Sequence, residues 1–411
     1  MKLVERHVIG KNHPYFKEID KLCFLSKNLY NASNYLIRQE FIKNNIYLGL
    51  GEVYKLMKTS PDYKALSSKV SNGVLRLLDR NWKSFFSAMK EWNLNPDKFN
   101  GRPNLPRYKD KVKGRNILVY ELGAISKPSL RNGIVKLSRT SFFIPTGKTN
   151  IKEVRIVPKT AQYIIEIVYD YGETPLSNSQ PGIASVDLGL NNLATIGSNI
   201  KGFKPLIING KPLKSINQYY NKYRAELQSQ LQKKEPNRYT SNRIDKLTAK
   251  RNNKIETYLH QASRTVINYL LQNHIGILVI GNNQEWKQSI NIGKRNNQNF
   301  VTIPHYKFIS QLIYKAELAG IKVIVREEAY TSKSSFLDLD PIPNYEKGKN
   351  YSFSGKRIKR GLYRSKDGIL INSDLNGSLN ILRKEFPNAF AEGIEGVAAS
   401  PFRFTPGKVA L

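Results

Sequence analysis

Cysteine is almost missing from this sequence, which contains Cys23 alone among 411 residues. A single thiol excludes a disulfide within the chain and any zinc ribbon built on two or more thiolates, so we expect no structural zinc. Long apolar runs are missing too, because none approaches the roughly 18 residues of a membrane-spanning helix. The first residues, MKLVERHVIGKNH, contain no signal-peptide core. Together these absences predict a soluble, cytoplasmic protein with no membrane partner.

Acidic residues are scarce relative to basic ones. The chain has 32 Asp and Glu against 66 Lys and Arg, which gives a formal charge of +34 and a pI near 10.0. This excess is larger than solubility requires and predicts a polyanionic partner. The basic residues are spread over stretches such as RYKDKVKGR and GKRIKRGLYRSK. Such a spread favours a long nucleic-acid channel over a single tail for anionic lipid.

The pattern of apolar residues changes along the chain and predicts a multidomain α+β and α/β protein. Residues 14–100 carry apolar residues at three- and four-residue spacing, which predicts a helical domain. Residues 1–13 and 101–180 contain short β-like runs, which predict a small barrel or sandwich. Residues 181–390 alternate strands with helices, as in a mixed or parallel sheet covered by helices. The Gly/Ala/Pro-rich residues 391–411 predict a flexible tail.

Two acids stand out in the α/β region. The stretch GIASVDLGLNN puts Asp187 at the end of an apolar strand, the place where ligands gather in open α/β sheets. The stretch SDLNGSLNILRK opens a helix with Asp374, followed by Gly377 and Ser378, which permit close packing. Taken singly, Asp187 fits a turn residue and Asp374 fits a helix N-cap. Only their combination points to a functional site.

These motifs resemble a known family. VDLGLNNLAT followed by DLNGSLNILRK resembles the first and third motifs of the RuvC-like nuclease domain in TnpB proteins of insertion sequences, relatives of the compact type V CRISPR effectors. Four further stretches fall in the family's order, so the resemblance covers about residues 1–385: YNASNYLIRQEF, GRPNLPRYKDK, NKIETYLHQASRTVINYL and EEAYTSK.

The resemblance implies a ribonuclease-H-like fold that cuts DNA. In this fold three carboxylates bind two Mg²⁺ or Mn²⁺ ions. The resemblance also implies two partners, an element-derived guide RNA and double-stranded target DNA with a short adjacent motif. By the same resemblance, residues 14–100 would be a helical recognition domain, and residues 1–13 and 101–180 a small, wedge-like β-barrel that binds nucleic acid. Asp187 and Asp374 match the family's first and third metal-binding acids. The sequence does not indicate whether the protein is a monomer or a dimer.

The family's second acid is missing. It is a glutamate at the end of a strand that here reads GILVIG, and its place is taken by Gly281. Either cleavage is lost or another glutamate fills the vacancy. The sequence IKVIVREE offers Glu327 and Glu328 on a strand that neighbours Gly281 if the sheet has the ribonuclease H order, one spacing of ~4.8 Å away. Alternation along the strand does not decide between these two, and Glu285, in a probable loop, is a weaker candidate.

A second departure concerns zinc. Relatives place two Cys pairs in the segment that corresponds to residues 331–372, which here contain no Cys and no His. We expect a metal-free loop instead, one that carries the basic run Lys356, Arg357, Lys359 and Arg360. In this loop and in two other basic stretches, the predicted nucleic-acid contacts are Arg107, Lys109, Lys111, Lys250, Arg251, Lys254, Lys356, Arg357, Lys359 and Arg360. Tyrosines interleaved with Lys and Arg, as in YNKYR, are suited to stacking on unpaired bases.

The sequence therefore predicts an RNA-guided DNA endonuclease of an insertion sequence, a Mg²⁺-dependent enzyme that is often called a transposase. Two alternatives remain open. A nuclease-dead, RNA-guided DNA-binding protein or repressor is favoured by Gly281 and opposed by the intact Asp187 and Asp374. An RNA-independent transposase would use the same fold and metals, and it differs in needing no bound RNA.

Overall fold

A computed structural model describes residues 1–172, 180–282, 302–346, 348–394, 396 and 400–407. They form two units, Met1–Glu173 and Thr174–Leu411. Within the described ranges, no helix combines the length and the apolar character that crossing a membrane requires.

The helices of the first unit follow the apolar spacing of residues 14–100. Helix α1 ends at Asn45, which adopts a left-handed conformation (φ 55°) and donates its backbone N–H to carbonyls of the last turn. Trp82 of α4 is fully buried, and its Nε1 donates to Oδ1 of Asn34 in α1 at 3.0 Å. The bounds are α1 Phe16–Asn44, α2 Leu50–Met57, α3 Pro61–Lys64, α4 Ser68–Leu94 and α5 Lys127–Arg131.

The strands of this unit form an antiparallel sheet in the order β1-β6-β5-β2 and a separate β3-β4 pair. The sheet and the helices share one hydrophobic cluster, so the predicted helical and strand-rich regions lie in the same unit. Among the described pairings β1 connects to β2 only through β6 and β5, and the small barrel stays a prediction. The bounds are β1 Lys2–Gly10, β2 Leu118–Glu121, β3 Ile134–Lys136, β4 Phe143–Pro145, β5 Ile151–Lys159 and β6 Gln162–Asp170.

The second unit contains a six-stranded mixed sheet in the order β11-β10-β7-β8-β9-β15. Strands β7, β8 and β9 are antiparallel neighbours, whereas β10 runs parallel to both β7 and β11. The predicted alternation of strands and helices is thus observed as a mixed sheet. The bounds are β7 Gly182–Leu188, β8 Asn192–Ser198, β9 Leu206–Asn209, β10 Ile275–Gly281, β11 Lys322–Arg326 and β15 Phe402–Phe404.

Helices cover this sheet on both faces. Apolar residues of α7 and α8 form one cluster with alternate residues of β7, β8 and β10. Helix α9 packs on the opposite face, where it contacts β7, β8 and β10. Helices α6 and α7 follow each other along the chain and pack together as a helical hairpin. The bounds are α6 Lys211–Lys234, α7 Asn242–Gln272, α8 His305–Leu318 and α9 Ser373–Glu385.

The segment predicted as a metal-free loop contains a small three-stranded sheet. Its strands are β12 Lys356–Lys359, β13 Leu362–Arg364 and β14 Leu370–Asn372, in that order. The Asp340 carboxylate holds the segment together by accepting from the backbone N–H groups of Ser335 at 2.9 Å and Ser354 at 3.0 Å. Phe336 and Tyr363 are buried in a cluster of their own with the start of α9. Hydrogen bonds and a small core therefore organise this segment.

The predicted flexible tail is corrected in one part. Residues 402–404 form β15, which pairs in parallel with β9 at the edge of the sheet. Phe402 and Phe404 pack against the main cluster of the second unit, and this apolar burial holds the strand in place.

Candidate functional site

Asp187 reaches the α9 face of the sheet because side chains alternate along β7. Ala184 and Val186 enter the main core, whereas Ser185 and Asp187 point toward α9. The Ser185 hydroxyl donates to the backbone oxygen of Ser378 at 2.6 Å and so holds the helix near the strand. At Gly377, an added Cβ atom would lie only 2.7 Å from Oδ2 of Asp187. The helix thus approaches the carboxylate closely because this residue is glycine.

Asp374 lies in the first turn of α9 but does not cap it. The N-cap is Asn372, whose Oδ1 accepts from the backbone N–H groups of Asp374 at 3.0 Å and Leu375 at 3.1 Å. The Asp374 carboxylate instead accepts from Nδ2 of Asn192 at 2.6 Å and from Nη2 of Arg357 at 3.2 Å. Asn372 therefore caps the helix in place of Asp374. The Asp374 carboxylate is left to interact with Asn192 and Arg357.

Two residues near Asp374, Asn192 and Arg403, are absent from the sequence-based prediction. Asn192 begins β8, and its Oδ1 accepts from Nη2 of Arg403 in β15 at 2.9 Å, so a polar chain runs from Arg403 through Asn192 to Asp374. Asn192 lies within the motif VDLGLNNLAT and was open to recognition there. No sequence motif pointed to Arg403, because it is the pairing of β15 with β9 that brings this residue to the site.

The position of the missing acid is filled by a side chain from the next strand. Gly281 ends β10 and pairs with Arg326, the last residue of β11. Glu328 follows by two residues and lies on the same face as Arg326. An added Cβ atom at Gly281 would come within 2.5 Å of both Oε2 of Glu328 and Cδ1 of Ile381. The Glu328 carboxylate therefore occupies the space above Gly281.

The Glu327 carboxylate interacts with Ala329 and with Lys384 of α9. Its Oε1 accepts from the backbone N–H of Ala329 at 2.9 Å, and its Oε2 accepts from Nζ of Lys384 at 2.7 Å. Glu328 and Asp374 thus lie near enough to Asp187 for their charges to act on its carboxylate, whereas Glu327 is tied to α9. Glu285, the weaker candidate, lies outside the described residues.

The electrostatics reflect the crowding of these acids. Burial raises the pKa of Asp187 well above its ordinary value, and the negative charges of Glu328 and Asp374 raise it further, against the opposing effect of Arg357. Burial, followed by the charge of Glu327, raises the pKa of Glu328 to about 7, with Lys384 acting in the opposite direction. Burial is thus the main cause of both raised pKa values, and neighbouring acids add to it.

The chemistry of these donors fits a hard divalent cation. Carboxylate oxygens are the ligands that Mg²⁺ and Mn²⁺ prefer, and a cation would relieve the repulsion that raises the pKa of Asp187. As the side chains stand, however, no three Asp, Glu, His or Cys groups of the described residues converge closely enough to hold one ion. Asp374 is engaged by Arg357 and Asn192. Binding an ion through all three acids thus requires these side chains to adjust.

The first predicted nucleic-acid stretch is a loop held against α1. The backbone oxygen of Lys109 accepts from Asn31 at 2.9 Å, and that of Lys111 accepts from Lys27 at 2.7 Å. The side chains of Arg107, Lys109 and Lys111 are exposed. Main-chain contacts thus fix the loop and leave its charges facing solvent.

The other predicted contacts differ in their surroundings. Lys250 and Lys254 are exposed on α7, and Lys356, Lys359 and Arg360 are exposed on or beside β12. Arg251 and Arg357, in contrast, are engaged within the protein. Arg251 donates to Asn217 Oδ1 at 2.8 Å and to the backbone oxygen of Thr302 at 2.9 Å, while Arg357 contacts Asp374. Whether any of these residues contacts nucleic acid stays a prediction.

A mixed α/β sheet with acids gathered at the carboxyl ends of its central strands defines a class of proteins that bind ligands at that edge. Comparison with known families is more specific. Residues 166–287 match the OrfB_IS605 family model, described as a probable transposase, and residues 305–381 match the Cas12f1-like TNB domain. The first match contains Asp187 and Gly281, and the second contains Glu328 and Asp374.

Two curated proteins are similar to the chain. The TnpB-like protein ORF457 of Acidianus two-tailed virus is 23% identical, over 90% of this chain and 83% of the relative. The CRISPR-associated endodeoxyribonuclease Cas12f1 of Sulfoacidibacillus thermotolerans is 28% identical, over 37% of this chain and 32% of the relative. These matches confirm the resemblance to the TnpB family that the motifs predicted.

Solved structures give a weaker match. A chain in the cryo-EM structure of a Cas12f1–sgRNA–target DNA complex is 15% identical, covers 93% of this chain and 100% of its own length, and superimposes with a TM-score of 0.35. A second Cas12f ternary complex gives a TM-score of 0.36 at 15% identity, over 89% of this chain and 82% of that chain. Such scores are too low to define the fold.

Proposed function

We propose that this protein is an RNA-guided DNA endonuclease of the TnpB type, with Asp187, Glu328 and Asp374 as its metal-binding acids. The observation that carries the proposal is the Glu328 carboxylate above Gly281, where an added Cβ atom would lie 2.5 Å from Oε2. A carboxylate thus stands where the family's missing second acid would project. The family matches support the nuclease class.

The sheet supports the same proposal. In the order β11-β10-β7-β8-β9, the last three strands are antiparallel and the first two run parallel to β7. We take this as the ribonuclease-H-like arrangement that the family implies. In this arrangement β7, which contains Asp187, lies beside β10, which ends at Gly281, and β10 lies beside β11, which Glu328 follows. The carboxyl ends of these three strands, and the acids there, therefore meet at one edge of the sheet.

Two bound Mg²⁺ ions would supply an activated water and stabilisation of the leaving oxygen. The residues of the chain hold and orient the ligands. Gly377 admits the Asp187 carboxylate beneath α9, and Asn192 fixes one oxygen of Asp374. Lys384 holds Glu327 away from Asp187, which leaves Glu328 as the inward-facing acid.

The proposed partners are a guide RNA and double-stranded target DNA. The formal charge of +34 and the exposed basic residues of the loop 107–111, helix α7 and strand β12 support a polyanion bound over a large surface. In such a system base pairing to the guide supplies most of the sequence specificity, and the protein binds backbone and shape.

The test is cleavage of a plasmid target by protein copurified with its own RNA, with Mg²⁺ or with EDTA. We expect Asp187→Asn and Glu328→Gln to reduce cleavage by 100-fold or more, while target binding persists. Glu327→Gln is the matched control, since it removes the same charge one residue away, and it should stay within about threefold of wild type.

Three other results would contradict the proposal. Wild-type protein that binds the target and never cuts is a guided DNA-binding protein. Cleavage or strand joining that survives ribonuclease treatment indicates an RNA-independent transposase. Loss of cleavage in Glu327→Gln with full activity in Glu328→Gln would assign the role of the family's second acid to Glu327.

A further inference from the structure

The hairpin of α6 and α7 contains a groove away from the acidic site. Its volume is about 390 Å³, within the range of roughly 300–1,000 Å³ found for small-ligand pockets. Residues from both helices line it in two rows. They are Ser215, Ile216, Tyr219 and Tyr220 from α6, and Leu247, Lys250, Arg251 and Lys254 from α7.

One wall of the groove is held in place by hydrogen bonds. The Tyr220 hydroxyl lies 3.1 Å from Oγ1 of Thr248, and the Arg251 guanidinium lies 5.6 Å from the centre of the Tyr220 ring. Arg251 is fixed in turn by Asn217 Oδ1 at 2.8 Å and the Thr302 backbone oxygen at 2.9 Å. An aromatic ring backed by a planar cation is thus ordered before any ligand arrives.

Helix α6 also presents aromatic rings to solvent. Tyr219, which lines the groove, is 56% exposed, and Tyr223 is 40% exposed one helical turn further on, with ring centres 4.3 Å from each other. These two rings leave a large apolar surface in contact with water. Exposed aromatic faces of this kind are where unpaired bases stack in proteins that bind single strands.

The rim is positively charged. Lys250 and Lys254 are one turn apart and exposed on α7, and neither forms an ion pair with any described residue. Helix α6 adds six Lys and Arg residues against one acid, Glu226. Phosphate groups are the complementary partner of such a rim.

We propose that this groove binds one unpaired nucleotide of a nucleic-acid strand that the protein holds. The base stacks against Tyr219 and the Tyr220–Arg251 wall, and the flanking phosphates lie on Lys250 and Lys254. The proposal names a contact within the proposed nucleic-acid binding, so it rests on that function. The contact itself requires neither a bound metal nor DNA cleavage. The proposal would therefore remain valid if the protein bound no metal or did not cleave DNA.

The experiment is equilibrium binding of fluorescein-labelled 20-nucleotide strands, measured by anisotropy in EDTA. Intact oligo(U) and oligo(dT) are compared with strands in which every second base is replaced by an abasic site. We expect Tyr219→Ala to bind the intact strand about tenfold more weakly than wild type does. Tyr219→Phe, which keeps the ring, should bind as wild type does.

The abasic strands separate stacking from unfolding or general charge loss. Wild type should lose affinity on the abasic strand, and Tyr219→Ala should lose little more, because its stacking partner is already gone. Tyr306→Ala is the control, since Tyr306 is 80% exposed on α8 and lies outside the groove. Equal affinities of Tyr219→Ala and wild type for the intact strand would overturn the proposal, as would an equal loss in Tyr306→Ala.

The lysines are tested through salt dependence. Changing Lys250 and Lys254 to Ala should lower the slope of log affinity against log salt by one to two, whereas Tyr219→Ala should leave the slope unchanged. Lys233 and Lys234 at the end of α6 provide a control pair with the same loss of charge. An identical loss of slope and affinity in both pairs would overturn the assignment of phosphates to this rim. A tyrosine effect on oligo(U) alone identifies the occupant as RNA, and one on oligo(dT) alone identifies it as DNA.

Discussion

Oε2 of Glu328 lies where the side chain of Gly281 would begin, because an added Cβ atom at Gly281 would be only 2.5 Å from it. Gly281 ends β10, and Glu328 follows the last residue of the parallel neighbour β11 by two residues, so the missing side chain at Gly281 leaves room for the Glu328 carboxylate. A missing acid in a motif is therefore not by itself a sign of a dead nuclease. Three predictions concern this site, and a fourth concerns the buried Lys315 of the same unit.

Gly281→Ala should damage both stability and cleavage. The new Cβ atom would meet Glu328 Oε2 and Ile381 Cδ1, each at 2.5 Å, and such overpacking costs roughly 1–3 kcal/mol of unfolding free energy. Adding Ile381→Val should recover stability in thermal unfolding without restoring cleavage, because the contact with Glu328 remains. Gly51→Ala is the control, since nothing lies within 4 Å of that position. Full cleavage by Gly281→Ala would contradict the assignment of Glu328.

Asn192→Ala should lower cleavage by about 10- to 100-fold, the usual effect of removing a residue that orients a metal ligand. Arg403→Ala should lower it less, because Arg403 acts only through Asn192. The double variant should be no worse than Asn192→Ala, and additive losses would separate the two residues. The Mn²⁺ concentration for half-maximal cleavage should rise in both single variants and stay unchanged in Asn199→Ala, a change elsewhere in the same unit.

Arg357→Ala should ease metal binding. The Arg357–Asp374 ion pair spans 3.2 Å, with the two side chains 51% and 30% exposed, so its worth is only about 0–1 kcal/mol. Its loss should reduce the Mg²⁺ concentration for half-maximal cleavage by up to about fivefold. Lys356→Ala, which removes a neighbouring exposed charge, should leave this concentration unchanged. A higher Mg²⁺ requirement in Arg357→Ala would show that the arginine supports metal binding instead.

Lys315 should make stability rise with pH above neutrality. Burial lowers the pKa of Lys315 to about 8, while its Nζ donates to Ser263 Oγ at 2.7 Å and to the His260 backbone oxygen at 2.8 Å. The unfolded chain then binds more protons than the folded chain between pH 8 and the ordinary lysine pKa of 10.5. Stability therefore increases through that window, by at most about 3 kcal/mol.

The measurement is the melting temperature of wild type and Lys315→Met from pH 7 to 10. The melting temperature of wild type should rise relative to that of Lys315→Met as pH increases. A wild-type profile that runs parallel to that of Lys315→Met would contradict the lowered pKa.

Local patterns predicted the order of elements and the positions of the acids well. The strands of Asp187 and Gly281 were recognisable as apolar runs that end in turn residues, and Asp374 as the start of a helix. The choice between Glu327 and Glu328 was not predictable, because it depends on the path of the backbone after Arg326 and on a lysine 57 residues away along the chain. Periodicity within one strand contains no such information.

The same limit explains the two elements that were missed. Strand β15 is only three residues long and lies in a Gly/Ala/Pro-rich stretch, so its pairing with β9 depends on tertiary contacts. The small sheet of β12, β13 and β14 is rich in lysine and arginine, which hide the alternation of a strand. Both elements supply an arginine to Asp374, directly or through Asn192.

The position of β15 also sets the order in which the domain is completed during translation. Arg403 is made 211 residues after its partner Asn192, when every other strand of the sheet has already been synthesised. Until then the edge of β9 presents open backbone donors and acceptors, a template for pairing with another nascent chain. A ribosome that stalls before residue 402 thus leaves both an aggregation-prone edge and an acidic site that lacks one of its supports.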